Sequence, residues 1–181
     1  MVMIRIRSAV DDDLPGIARV VVDAWRATFA GLLPADFLEG MSQSRQEQRH
    51  RRYLDHPDVV YYVAEDENGG VVGFASGGPS RHPDFPQEAE IYALYLLPAH
   101  QRRKIGSALF AKVTRDLEGR GYEGLLALAL ENNPNRVFYE RLRGQPVVAE
   151  PLALGQAAVS QIAYLWSDIP ALALSLRDQA S

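Results

Sequence analysis

The sequence predicts an α+β (α/β) fold: a mixed, mostly antiparallel central sheet of about six to seven strands flanked by helices. Three observations predict it. Segments with two-residue alternation or β-branched content recur at 2–7, 59–64, 71–76, 89–97, 124–130, 146–154 and 158–166. Between them, two long stretches carry apolar residues at helical spacing. One of these joins the strand at 89–97 to the strand at 124–130, and a helical crossover makes two such strands parallel.

The elements follow in chain order. Residues 2–7 (VMIRIR) alternate and read as a strand. Asp11-Asp12-Asp13 with Pro15 signals a helix start. Leu14, Ile17, Ala18, Val21 and Trp25 then form one buried face of a helix ending near Gly31. Residues 34–39 and 43–54 read as shorter helices, the second highly charged. Two strands, 59–64 and 71–76, flank the turn Asp66-Glu67-Asn68-Gly69-Gly70 and make a hairpin. Residues 78–87 hold three prolines and read as a loop. The strand at 89–97 stops at Pro98. Ile105, Ala108, Leu109, Val113 and Leu117 share a helix face closed by Gly119 and Gly121. The strand at 124–130 (GLLALAL) is apolar on both faces, so it lies inside the sheet. Asn133 caps a helix with Pro134 at its first position, running to about Leu142. Residues 146–154 and 158–166 form a last antiparallel pair, and 168–181 read as a short helix or loose tail.

Length and composition fit one domain over 1–181, with 168–181 as its C-terminal tail. The net charge of −4 gives no basic field for nucleic acid. No apolar run is long enough to span a bilayer, so no membrane role is expected. The start has no signal-peptide stretch, and a cytoplasmic location is expected. Cysteine is absent, which excludes thiolate nucleophiles and Cys-based metal sites. His50, His56, His82 and His100 show no metal-ligand spacing and read as surface residues, so no metal is expected.

One segment carries candidate anion chemistry. PAHQRRKIGSALF, residues 98–110, follows a strand and opens a helix. A helix N-terminus offers unpaired N–H groups and partial positive charge. Gly106 lets backbone approach a ligand, Ser107 adds a hydroxyl, and Arg102, Arg103 and Lys104 add three cations. A polyphosphate fits this arrangement, as does a plain solvated helix cap.

The segment resembles the Q/R-x-x-G-x-G/A signature of the GNAT (general N-acetyltransferase) superfamily. Gln101 matches its first position and Gly106 its last, while Lys104 stands at the middle glycine. LENNPNRVFYERLRG, residues 130–144, is similar to a second family segment, N-x-x-A-x-x-F-Y-x-x-x-G. Asn132, Phe138 and Tyr139 match; Asn135 replaces the alanine, and Arg143-Gly144 replaces Gly-Phe. The resemblance implies the GNAT fold, with the fourth strand bulged and splayed from its parallel neighbour. It implies acetyl-CoA as co-substrate. Leu94, Tyr95 and Leu96 would border the thioester, with a backbone N–H near Leu96 on its oxygen. Gln101, Arg102, Arg103, Lys104, Ile105, Gly106 and Ser107 would hold the phosphates. Asn132 and Asn135 would reach the pantetheine arm or pyrophosphate, and Tyr139 would protonate the leaving thiolate. Glu90, on the family's usual strand for the base, would deprotonate the amine directly or through water.

The resemblance also implies an amine acceptor, either a small molecule or a peptide, with a homodimer left open. Trp25, Phe29 and Tyr92 would wall its pocket, and Asp84, Glu88 and Glu90 would draw in a cationic amine. The implied activity is transfer of acetyl from acetyl-CoA to a primary amine by direct attack. Its rival is a non-catalytic acyl-CoA-binding sensor or partner module, which Lys104 and Arg143 at glycine positions favour. A nucleic-acid role for Arg102–Lys104 lacks an aromatic platform.

Overall fold

The structure, a computed structural model, describes residues 3–178; Val2 of the expected first strand and 179–181 of the expected tail lie outside the described residues. Chain order is β1 (Arg5–Ser8), α1 (Leu14–Phe29), α2 (Ala35–Glu39), α3 (Gln43–Leu54), β2 (Val60–Glu65), β3 (Val71–Pro79) and β4 (Ala89–Leu96). Then come α4 (Ile105–Gly119), β5 (Leu125–Leu130), α5 (Val137–Arg141), β6 (Gln145–Leu154), β7 (Ala157–Trp166) and α6 (Ile169–Asp178). The described strands make one seven-stranded sheet ordered β1-β2-β3-β4-β5-β7-β6. Only β4 and β5 run parallel within it.

Local chemistry explains the first elements. Asp13 accepts from the Val10 N–H at 2.8 Å and is gripped by Arg7 at 2.7 and 2.8 Å, which fixes the entry into α1. Leu14, Ile17, Ala18 and Val21 are buried, as their spacing requires, on the face of the sheet shared with Phe74 and Tyr61. Helix α4 covers the opposite face with Leu109, Val113 and Leu117, all fully buried.

One element differs from expectation, and a second decides between two alternatives. Strand β3 continues through Gly77, Gly78 and Pro79, where glycine and proline suggest a loop. The glycines are there for space: an added Cβ at Gly77 would meet the Glu90 carbonyl oxygen at 2.8 Å, and at Gly78 the Tyr92 hydroxyl at 2.8 Å. The second is α6, where the helix of the two expected alternatives forms. Asp168 accepts from the Ala171 N–H at 2.8 Å, and Ile169, Leu172 and Leu176 are buried in the α4 core. The segment is a packed helix, not a loose tail.

The strand at the centre carries a bulge. Ser76 pairs with Ala93 but Gly77 pairs with Ile91, leaving Tyr92 as the extra residue. The insertion shifts the alternation by one, so Glu90, Tyr92, Ala93 and Tyr95 all face the α1/α3 side. Beyond the bulge β4 leaves β5: their pairing covers only Ala89–Ile91 against Leu125–Ala127.

Candidate active site

The separation of β4 from β5 leaves backbone groups open. Leu97 donates to the Val72 carbonyl at 2.9 Å, so Val72 and Leu97 are a hydrogen-bonded pair. Antiparallel pairs alternate, which makes Tyr95 and Ala93 bonded to β3 and turns the N–H and C=O of Leu94 and Leu96 toward β5. On β5, Glu131 donates to Ser160 at 2.8 Å, and the same alternation turns the Leu128 backbone toward β4. Two strand edges therefore face each other across a gap with no ladder between them. Leu94, Leu128 and Tyr139 line the cleft that includes this gap, a cavity of about 540 Å³.

At one end of β4 the chain turns into α4. The Gln101 side chain donates back to the Leu96 carbonyl at 3.4 Å. Lys104, at the expected glycine, sits in the left-handed region at φ 62, and Arg102 does so at φ 58. Left-handed backbone costs a side-chain-bearing residue about 1–2 kcal/mol. The first intrahelical bond of α4 runs from Ala108 to Lys104, which leaves the N–H groups of Ile105, Gly106 and Ser107 without helix partners. Arg102, Arg103 and Lys104 are exposed around them. A Cβ at Gly106 would make ordinary contacts, 3.5 Å to Leu96 and 4.0 Å to Phe138, so nothing in the fold itself requires glycine there.

The second segment forms the opposite wall. Asn133 caps a 3-10 turn at Pro134–Arg136 by accepting from the Asn135 N–H at 2.8 Å, and the short α5 follows. Phe138 packs edge-on against Phe110, with centroids 5.7 Å apart. Tyr139 lies among Phe138, Tyr164 and Trp166. Burial, with Tyr95 and Tyr164 adding to it, holds its phenol above the usual range, so it stays protonated and able to donate. Asn132 does not turn to the cleft: its amide donates to the Leu32 carbonyl at 3.2 Å, tying α5 to the loop after α1. Asn133 lines the cleft in its place, while Asn135 is exposed and outside it. Arg143, the other expected glycine, takes φ 59, and Gly144 is bare because a Cβ would lie 2.7 Å from the Trp166 ring.

On the α1/α3 side the cleft widens. Trp25, Phe29 and Tyr92 all line it, with Trp25 and Phe29 centroids 4.9 Å apart. The Tyr92 hydroxyl is spent on the Pro79 carbonyl at 2.6 Å, so its ring is what remains to face the cleft. Glu90 is 1% exposed and clamped by Arg81: Nη2 to Oε1 at 2.6 Å, Nε to Oε2 at 3.1 Å and backbone N–H to Oε2 at 2.9 Å. Arg81 also lies over the Tyr92 ring at 4.1 Å. His82 Nε2 stands 3.4 Å from Glu90 Oε1. Asp84 and Glu88 are exposed and do not line the cleft, so no acidic funnel forms.

Arg81 and His82 carry no spacing signal, because the path of the loop brings them in. His50 corrects the surface reading of the histidines: it is 6% exposed, and its Nδ1 lies 2.7 Å from the Tyr61 hydroxyl. Burial, with Arg49 nearby, lowers it to about 4. One signal was present at this site, since Gln46, Arg49, His50 and Tyr53 are spaced as one helix face.

Comparison with known proteins agrees with this geometry. The pattern of the acetyltransferase (GNAT) family matches residues 22–144. An uncharacterized N-acetyltransferase of Bacillus subtilis, YuaI, is 33% identical over 170 residues, 94% of this chain and 96% of its own. An N-acetyltransferase from Staphylococcus aureus superposes with a TM-score of 0.72 at 19% identity, over 92% of this chain and 99% of its own. The PaiA N-acetyltransferase of Thermoplasma acidophilum, in complex with coenzyme A, does so at 0.69 and 18% identity, covering 91% and 99%.

Proposed function

The chain belongs to the acetyltransferase (GNAT) family, and from that premise we propose that it transfers an acetyl group from acetyl-CoA to a primary amine. The observation that carries this reading is the gap between β4 and β5, with the backbone N–H groups of Leu94 and Leu96 turned toward it on one side and Tyr139 in the wall. Solved relatives hold coenzyme A, and the residues here fit it. The N–H groups of Ile105, Gly106 and Ser107 take phosphate oxygens, with Arg102, Arg103 and Lys104 as surrounding charge. Bare Gly106 gives the room this needs. The pantetheine amides pair with the Leu94 and Leu96 backbone as an added strand.

The chemistry follows as one displacement. The neutral amine attacks the thioester carbon, and the backbone N–H near Leu96 takes the developing oxyanion. The C–S bond then breaks, and Tyr139 gives its proton to the departing thiolate. The amine's own proton goes to His82, which Glu90 orients through Oε1. Glu90 acts through His82 because Arg81 already occupies both its oxygens. Water returns the proton to Tyr139. The transfer is direct, and with no cysteine in the chain a thioester acyl-enzyme is excluded.

Lys104 and Arg143, which favoured a non-catalytic module, both adopt the backbone a glycine would. Left-handed backbone at both positions supports the enzyme reading. Release of free thiol from acetyl-CoA across a broad amine panel tests it. Tyr139→Phe is expected to lower kcat about 10- to 100-fold while acetyl-CoA still binds. Binding with no thiol release for any amine would instead favour the module.

A further inference from the structure

Helix α3 sets a polar stripe along the cleft, with His50 buried, Gln46 and Tyr53 half-buried and Arg49 exposed at the rim. Gln46, Arg49, His50 and Tyr53, at i, i+3, i+4 and i+7, line the wide end of the cleft. A helix packed on a sheet ordinarily presents apolar residues there. Arg49 makes no hydrogen bond or ion pair among the described residues, whereas its neighbour Arg51 is paired with Asp11 and Glu47. Burial lowers the His50 imidazole and raises the Tyr95 phenol, and the charge of Arg49 is felt at both, from either side of the cavity.

The charge inventory has a clear sign. Of the described residues lining the cleft, Arg49, Arg81 and Glu90 are the charged ones apart from histidine, and Arg81 and Glu90 cancel. Arg49 is left over. A second observation lies on β3: Ser76 Oγ is buried, lines the same cleft and has no hydrogen-bond partner. A buried hydroxyl without a partner is costly, and one facing a cavity is satisfied by what enters it.

We propose that the acceptor is an amine that also carries an oxyanion, a carboxylate in the first instance, which Arg49 binds while the Ser76 hydroxyl takes a polar group of the same molecule. This rests on the acetyltransferase reading and names its substrate class. The amine lies toward Glu90, His82 and the thioester. The carboxylate lies toward α3, and the ring faces of Trp25 and Tyr92 hold the apolar side chain. A polyamine would meet an unpaired cation in this compartment and no unpaired acid.

The test uses matched pairs, each an α-amino acid and its carboxamide, with the full chain. Turnover is followed as thiol release from acetyl-CoA. Binding is followed separately by calorimetry on protein saturated with coenzyme A. Wild type is expected to favour the acid about tenfold or more in kcat/KM and in affinity. Arg49→Gln should bring that ratio near one, chiefly through KM, and Arg49→Lys should restore part of it. Arg45→Gln, on α3 but outside the cleft lining, should leave the ratio as it is. Ser76→Ala should weaken both members of a pair. An equal or reversed preference in wild type, a ratio unmoved by Arg49→Gln, or no binding of either member overturns the proposal. Arg49-dependent binding of acids without thiol release would keep the site and remove the transferase reading.

Discussion

Arg81 closes on Glu90 as a fork, with Nη2 2.6 Å from Oε1 and Nε 3.1 Å from Oε2, across the nine residues that separate them in sequence. The guanidinium is held in turn by the Tyr53 hydroxyl at 2.8 Å and the Tyr92 ring. Removing one partner of a buried pair strands the other charge. Arg81→Met is therefore expected to lower unfolding free energy by about 2–3 kcal/mol, below the fully buried figure because the Arg81 side chain is 38% exposed. Replacing both residues by methionine should recover part of that loss. Urea denaturation at neutral pH reads both values.

The same fork decides how the proton leaves. Both Glu90 oxygens are engaged by Arg81, and the His82 imidazole is the neighbouring group, 3.4 Å from Oε1. His82→Gln is expected to lower kcat/KM by about 100-fold with little change in melting temperature. Its rate should also lack the rise with pH expected of wild type. A variant with a wild-type pH profile would remove His82 from the route.

Left-handed backbone at Arg143 is a separate and purely structural prediction. Arg143 sits at φ 59 after α5, exposed, with its side chain outside the proposed chemistry. Glycine there relieves about 1–2 kcal/mol of strain but adds about 0.4–1 kcal/mol of unfolded-chain entropy. Arg143→Gly should therefore raise the melting temperature by about 2 °C. Gly155, at φ 62 with nothing within 4 Å of an added Cβ, offers the reverse test. Gly155→Ala should destabilise by about 1 kcal/mol, and scanning calorimetry on the pair compares them.

What the sequence made legible depended on local chemistry. Asp13 before Leu14, Asn133 before Pro134 and the strand-to-helix loop at 101–107 each act within a few residues, and each stands where pattern placed it. The splay of β4 from β5 came from resemblance, since no spacing within either strand encodes the loss of pairing after Ile91. Gly77 and Gly78 misled because glycine marks both turns and close packing, and only the approach of Glu90 and Tyr92 tells which. Helix α6 had its own signals in Asp168, Pro170 and the spacing of Ile169, Leu172 and Leu176. The acceptor side was least legible: Arg49 looks like any charge on a polar helix until α3 packs, and the Tyr92 bulge reassigns which residues of β4 share its cleft.

His50 ties stability to pH. Its imidazole is lowered from 6.5 to about 4 by burial and by Arg49, and it lies against the Tyr61 hydroxyl. The folded state keeps it neutral, whereas the unfolded chain protonates it readily. Its contribution is therefore whole above about pH 6.5 and is lost as pH falls toward 4, reaching about 3 kcal/mol there. Asp13 does not account for that window. At Asp13, burial pushes upward but the Arg7 guanidinium and Val10 N–H outweigh it, so its pKa lies below the ordinary 3.8 and its loss comes at lower pH. His50→Gln keeps a hydrogen-bonding group for Tyr61 but cannot titrate. It should be less stable than wild type at pH 7, yet its unfolding free energy should vary little down to about pH 4.5. Urea midpoints at half-unit pH steps would show this, and an unchanged slope in the variant would place the proton uptake elsewhere.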